Sequence, residues 1–103
     1  MNFGLFEKSL DMIINAIKAC PNLEKAAIFG SRSMGNYKNG SDVDLVIFGV
    51  NISREAVNRL SVLLNEELPL PYYFDVLHYE SLTNDSMKQH IDQYVKTIFH
   101  RNT

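Results

Sequence analysis

Residues 43–48, Val-Asp-Leu-Val-Ile-Phe, constrain the fold of this chain more than any other segment. The run is short, rich in β-branched and aromatic residues, and preceded by a turn signal at residues 39–41, which is typical of a strand. Residues 25–29 and 72–78 are two further short apolar runs of the same kind. We expect the three runs to form one central sheet.

Helical patterns separate these strands. Apolar side chains recur at helical spacing, and residues suited to cap a helix precede them. The predicted helices are residues 5–19, a short helix from Ser31 to about Tyr37, a helix with Ser53 as its N-cap, and a last helix that is capped by Asn84 or Asp85 and extends to Phe99. The order α-β-α-β-α-β-α predicts an α/β (α+β) fold, a single small domain over residues 1–103 with a mixed central sheet flanked by helices.

Composition excludes several classes of protein. With 103 residues and a net charge of −2, the chain suits one domain and no extensive nucleic-acid platform. Cys20 is the sole cysteine, which excludes an intramolecular disulfide, and the histidines lack zinc spacing. The first residues do not resemble a signal peptide, and no apolar run reaches the length of a membrane span. We expect a cytoplasmic protein.

Two carboxylates lie at the start of the clearest strand. Asp42 and Asp44 are two residues apart, so in a strand they project from the same face, with Cα atoms roughly 6–7 Å apart. Val43, Leu45 and Ile47 then point into the core. Two carboxylates at this spacing can share one divalent cation or hold two. Magnesium suits the site because it prefers carboxylate, water and phosphate oxygens.

Asp75 is the natural third ligand. It lies within an apolar strand, where a lone carboxylate is costly unless it is paired, hydrogen-bonded or metal-bound. If its strand pairs with residues 43–48, the neighbouring backbones are about 4.8 Å apart. Asp75 would then complete a cluster of three carboxylates with Asp42 and Asp44.

A glycine-serine turn precedes the acid pair by ten residues. Gly30 ends a predicted strand and allows the backbone to approach a ligand closely. The Ser31 hydroxyl and the following amides can bind phosphate oxygens, and Arg32 and Lys38 can add positive charge. The sequence departs from known phosphate loops, because Asn-Tyr replaces the Lys-Ser/Thr of a P-loop and no G-x-G-x-x-G occurs.

Each of these residues also has a structural interpretation. Asp42 could be a turn residue, Asp75 a satisfied structural acid, and Ser31 a helix cap. Packing in the core or at an interface also accounts better than base stacking for Tyr72, Tyr73 and Tyr79. The combination of three acids on two strands with the glycine-serine turn favours the functional interpretation.

This combination resembles the nucleotidyltransferase superfamily that includes DNA polymerase beta. The chain's small size and the segments Phe-Gly-Ser-Arg at 29–32 and Ser-Asp-Val-Asp-Leu at 41–45 are similar to its minimal nucleotidyltransferase (MNT) branch. The resemblance covers nearly the whole chain, and no position of the core pattern is missing. It implies an intact active site that transfers a nucleoside monophosphate, with pyrophosphate as the product.

The resemblance also implies roles for individual residues. Gly30 and Ser31, with Arg32, would bind the triphosphate of ATP. Asp42, Asp44 and Asp75 would be the catalytic residues and would bind two Mg²⁺ ions, and Asp75 would also help to deprotonate the attacking hydroxyl.

Minimal members of this family are commonly paired with a HEPN-domain toxin, which some of them modify with AMP on a tyrosine. The resemblance therefore implies an antitoxin with a HEPN partner. Only about 24 residues follow Tyr79, too few for a domain that binds an acceptor. We therefore expect a hetero- or homo-oligomer. Two alternatives stay open, a binding module that neutralises its partner by occlusion and a nucleotidyltransferase acting on a small molecule such as an antibiotic.

Overall fold

A computed structural model describes residue 5, residues 7–30 and residues 42–101. Within these residues, three α-helices and four strands follow one another. Their bounds are α1 Glu7–Lys18, β1 Lys25–Phe29, β2 Val43–Phe48, α2 Arg54–Val62, β3 Phe74–His78, α3 Asp85–Tyr94 and β4 Lys96–His100. A π-helical turn, Leu63–Glu67, extends α2, and a 3₁₀ turn, Tyr79–Ser81, follows β3.

The four strands form one mixed sheet in the order β3-β2-β1-β4. β1 pairs antiparallel with both β2 and β4, whereas β2 and β3 run parallel. The parallel pair requires a crossover, and α2 supplies it. This arrangement confirms the mixed central sheet and puts β2, the most apolar predicted strand, in the interior.

Helices cover the two faces of the sheet unequally. On one face, Leu45 and Ile47 of β2 pack with Ile13 and Ile17 of α1 and Leu60 of α2, all of them buried. The opposite face carries a smaller cluster, in which Ile91 of α3 packs with Val46 and Phe29. Alternation along β2 therefore sends Val43, Leu45 and Ile47 into the larger core, as expected.

α2 begins where the sequence predicts. Ser53 has an extended backbone, and its hydroxyl oxygen accepts a hydrogen bond from the Ala56 amide at 3.0 Å. Ile52 is buried and Val57 packs against the same cluster, which is the arrangement of a hydrophobic staple across the Ser53 cap. Asn84 caps α3 in the same way, by accepting from the Met87 amide at 3.1 Å.

Removal of the Ser53 cap is expected to destabilise the protein modestly. Ser53→Ala leaves one amide of the first turn of α2 without its acceptor, which costs about 1 kcal/mol of unfolding free energy. Urea unfolding followed by circular dichroism measures the change. Ser86→Ala, an exposed serine within α3, is the control and should shift stability by less than about 0.5 kcal/mol.

The C-terminal segment differs from the prediction. The last helix ends at Tyr94, and Lys96–His100 forms β4 instead of continuing the helix to Phe99. Val95 already has extended backbone angles, and the segment pairs with β1 from Lys25↔His100 to Ile28↔Lys96. Short apolar runs fit helix and strand periods equally well, and here pairing with an otherwise open edge of β1 decides the outcome.

Two further outcomes concern boundaries. The predicted strand at residues 72–78 begins only at Phe74. The predicted helix from Ser31 to Tyr37 lies outside the described residues. Among the helices that are described, none combines the length and the apolar character that crossing a bilayer requires.

Candidate functional site

Three chain segments meet at one edge of the sheet. β1 runs antiparallel to β2, so Gly30, which follows the end of β1, lies at the edge where β2 and β3 begin. Phe29 is paired with Asp44 in this register. The glycine after β1 and the acid pair of β2, which are separated by about a dozen residues, are thus brought together.

Asp44 and Asp75 are direct neighbours across the parallel pair β2–β3. Equal register on adjacent strands places the two side chains on the same face of the sheet, with backbones about 4.8 Å apart. Asp44 is half-buried and Asp75 is exposed. Asp42 is exposed and lies one residue before the start of β2. The face that carries Asp44 and Asp75 is the one with the smaller apolar cluster.

Gly30 passes directly against the Asp44 carboxylate. Its φ of +74° lies in the left-handed region, which side chains other than glycine rarely adopt. A Cβ at this position would overlap Oδ2 of Asp44 and lie 3.3 Å from its Cγ. The position therefore requires glycine for two reasons, the backbone conformation and the space that the carboxylate occupies.

The register of β2 and β3 is held at both ends. At the near end, the Val43 amide donates to the Tyr73 carbonyl at 2.8 Å. At the far end, Nε2 of His78 lies 2.7 Å from the Gly49 carbonyl oxygen, and the Gly49 amide donates to the Glu80 carboxylate at 3.0 Å. Because a slip of one residue would break both sets of bonds, Asp44 and Asp75 are kept side by side.

The donor set suits a hard divalent cation, because all three predicted ligands are carboxylates. Two of them, Asp44 and Asp75, are paired across the adjacent strands β2 and β3. Among the described residues, however, no three side chains of His, Cys, Asp or Glu come together as one metal-binding group. The binding of metal by Asp42, Asp44 and Asp75 together therefore stays a prediction.

Ser31 and Arg32 lie outside the described residues, so their predicted contacts with phosphate stay predictions as well. The tyrosines near β3 have different environments. Tyr72 packs against the larger core, and Tyr79 stacks on Phe48 with ring centroids 4.8 Å apart. Tyr73 is 61% exposed and lies two residues before Asp75, on the side of the strand that carries the carboxylates. Core packing therefore does not account for Tyr73, which lies directly before β3, and its packing at an interface stays a prediction.

Two groups with displaced pKa values lie away from this edge. Burial raises the pKa of the Cys20 thiol, which follows α1. The pKa of the Tyr79 phenol is raised mainly because its hydroxyl donates a hydrogen bond to Asp92, at 2.9 Å. Cys20 lies before the start of β1 and Tyr79 after the end of β3, both at the opposite end of the strands from Gly30 and Asp44, so neither is a candidate for the chemistry of this site.

Comparison with known families gives one match. The model of the family described as "Polymerase beta, Nucleotidyltransferase" matches residues 11–103, nearly the whole chain. No curated protein sequence matches.

Several solved structures share the fold. A chain of a toxin–antitoxin crystal structure with AMP-PNP is 21% identical, with a TM-score of 0.74 over 89% of this chain and 73% of that chain. A chain of the complex between a tri-AMPylated Shewanella oneidensis HEPN toxin and its MNT antitoxin is 18% identical, with a TM-score of 0.69 over 92% and 72%. A chain of the MntA–HepT toxin–antitoxin structure is 17% identical, with a TM-score of 0.69 over 93% and 74%. At these identities the likeness shows the fold.

Proposed function

Because the chain belongs to the polymerase beta nucleotidyltransferase family and is a nucleotidyltransferase, we propose that it transfers AMP from ATP to a hydroxyl group of a partner protein. The proposed partner is a HEPN-domain toxin, the proposed acceptor is a tyrosine of that toxin, and the proposed result is neutralisation of the toxin. One observation carries the proposal: Asp44 and Asp75 lie side by side at the edge where Gly30 passes against Asp44.

The geometry suits the donor half of the reaction. Gly30 brings the backbone next to the carboxylates, and we expect Ser31 and Arg32, which follow it in the sequence, to bind the triphosphate. Asp42, Asp44 and Asp75 would hold two Mg²⁺ ions, which when bound neutralise charge on the α-phosphate and on the leaving pyrophosphate.

The exposed Asp75 suits the acceptor half of the reaction. It lies on β3, an edge strand, so an incoming hydroxyl can reach it from outside the sheet. Its carboxylate accepts the hydroxyl proton while the oxygen attacks the α-phosphorus in line with the departing pyrophosphate. The phosphorus–oxygen bond to the tyrosine forms as the bond to pyrophosphate breaks.

The fold supports a protein acceptor over a small molecule. It is that of chains found in toxin–antitoxin complexes, one of which contains an AMPylated HEPN toxin. We therefore propose that a HEPN-domain partner supplies the acceptor hydroxyl.

Transfer of AMP is tested with the chain, α-phosphate-labelled ATP, Mg²⁺ and a HEPN-domain protein from the same genome, which is the proposed partner. The expected result is label on a tyrosine of the HEPN protein, detected by mass spectrometry, with release of pyrophosphate. Asp42→Asn should transfer little label, because one of the proposed metal ligands has lost its charge. Equal labelling by the wild type and Asp42→Asn, or none by the wild type, would overturn the proposal.

The same materials separate the two alternatives. If the chain is a non-catalytic binding module, the Asp42→Asn/Asp44→Asn double variant should neutralise the HEPN protein as well as the wild type does. A small-molecule transferase would label an aminoglycoside acceptor and leave the HEPN protein unlabelled. The proposed function predicts loss of neutralisation in the double variant and no label on the aminoglycoside.

A further inference from the structure

Asn65 holds the outer edge of the strand that carries Asp75. It lies in the π-helical turn Leu63–Glu67, which is anchored in the core by the fully buried Leu64. Its side-chain oxygen accepts a hydrogen bond from the Phe74 amide at 2.7 Å. Its side-chain nitrogen donates to the Phe74 carbonyl at 3.0 Å. One amide side chain thus satisfies both backbone groups of Phe74, as a neighbouring strand would.

The position of this contact follows from the parallel ladder. The Val43 amide donates to the Tyr73 carbonyl, so Tyr73 and Asp75 direct their backbone groups toward β2. The residue between them, Phe74, directs its amide and carbonyl away from β2, to the side of β3 on which the sheet has no further strand. On that side of β3, the Asn65 side chain bonds the backbone of Phe74, the residue immediately before Asp75.

Three contacts therefore fix the backbone around Asp75. The ladder holds Tyr73 and Asp75 against β2, the Asn65 amide holds Phe74 from outside, and the Phe74 side chain is buried in the larger core at 1% exposure. The Asp75 side chain itself is exposed. The position of the Asp75 side chain relative to Asp44 consequently depends on the Asp75 backbone, which these three contacts hold.

We propose that Asn65 is a positioning residue for nucleotidyl transfer, which acts by holding Asp75 beside Asp44. The inference rests on the proposed function, because it assumes that Asp75 acts on the acceptor hydroxyl. The π-helical turn fits this role, since such turns occur mostly as local insertions and often at functional sites. The turn closes with the Leu68 amide donating to the Leu63 carbonyl at 3.0 Å, and it presents Asn65 to β3.

The two hydrogen bonds between Asn65 and Phe74, which we call the clamp, predict a particular kinetic change. Asn65→Ala removes both bonds to Phe74, so Asp75 loses its fixed distance from the acceptor hydroxyl. A small displacement of a reacting group lowers kcat strongly, here by about tenfold or more. The KM for ATP should change by less than about threefold, because the triphosphate is proposed to bind at the Gly30 side of the site. A residue that served stability alone would leave kcat of the folded enzyme unchanged.

The test measures transfer to the HEPN-domain protein and amide hydrogen exchange in parallel, below the melting temperature of each variant. Asn65→Asp is the second variant, because it keeps the size and the acceptor for the Phe74 amide but places a carboxylate oxygen against the Phe74 carbonyl. Asn58→Ala, an exposed asparagine on α2, is the control. We expect both Asn65 variants to lose kcat. The Phe74 amide should exchange faster in Asn65→Ala, which lacks its acceptor, and the control should show neither change.

Two outcomes overturn the proposals separately. Folded Asn65→Ala or Asn65→Asp with the kcat of the wild type would overturn the positioning role. A wild type that transfers no AMP would overturn the proposed function instead. The clamp would then be judged by Phe74 amide exchange and by the backbone chemical shifts of Asp75, and unchanged values in both Asn65 variants would refute it.

Discussion

Replacing Asp44 by asparagine is expected to reduce AMP transfer by about a thousandfold, which corresponds to about 4 kcal/mol of transition-state stabilisation. Asp44 is the member of the proposed acidic set that is both half-buried and next to Gly30, so it is held most firmly. Asparagine keeps its shape and removes its charge. The measurement is single-turnover transfer of labelled AMP to the HEPN-domain protein.

The same variant should keep the fold. Asparagine has nearly the same volume and shape as aspartate, so its place on β2 beside Asp75 is retained. Thermal melting followed by circular dichroism should show one cooperative transition for Asp44→Asn, which separates loss of chemistry from loss of structure. Asp11→Asn, an exposed aspartate on α1, is the control and should keep full activity. Full transfer by a folded Asp44→Asn protein would contradict the proposed site.

Gly30→Ala is expected to reduce transfer by about a hundredfold while costing only about 1–2 kcal/mol of unfolding free energy. The stability loss comes from a φ of +74°, which alanine adopts with strain. The activity loss comes from the new Cβ, which overlaps Oδ2 of Asp44. Because the overlapped atoms are the end of a side chain, the carboxylate can rotate away, and it then leaves its place beside Asp75.

Asn22→Ala is the matched control for this prediction. Asn22 has a φ of 65° in the turn between α1 and β1, at the far edge of the sheet from Gly30. Alanine there carries a similar backbone penalty and also removes the exposed hydrogen bond that the Asn22 side chain donates to the Asn51 carbonyl at 3.2 Å, without approaching Asp44. Urea unfolding should show comparable losses for the two variants, and the transfer assay should show a loss for Gly30→Ala alone. Equal activities in the two variants would show that the approach of Gly30 to Asp44 is irrelevant to the reaction.

Much of the sheet could be predicted because local patterns decide it. The bounds of β1 and β2 match the predicted residues, since both are short apolar runs ended by glycine or turn residues. The caps Ser53 and Asn84 were predictable for a similar reason, because an N-cap bond spans only three residues. β4 was not, because its spacing also fits a helix and its pairing partner is about 70 residues away in the chain.

The candidate site divides in the same way. The sequence by itself determined the chemical types, a glycine after one strand and carboxylates on two others, because residue identity and strand alternation are local properties. Only the tertiary structure decided that Asp44 and Asp75 share a register and that Gly30 lies against Asp44. It also decided that Asn65 clamps Phe74. These are contacts between separate segments. Their geometry depends on the antiparallel pairing of β1 with β2 and on how the crossover through α2 places β3 beside β2.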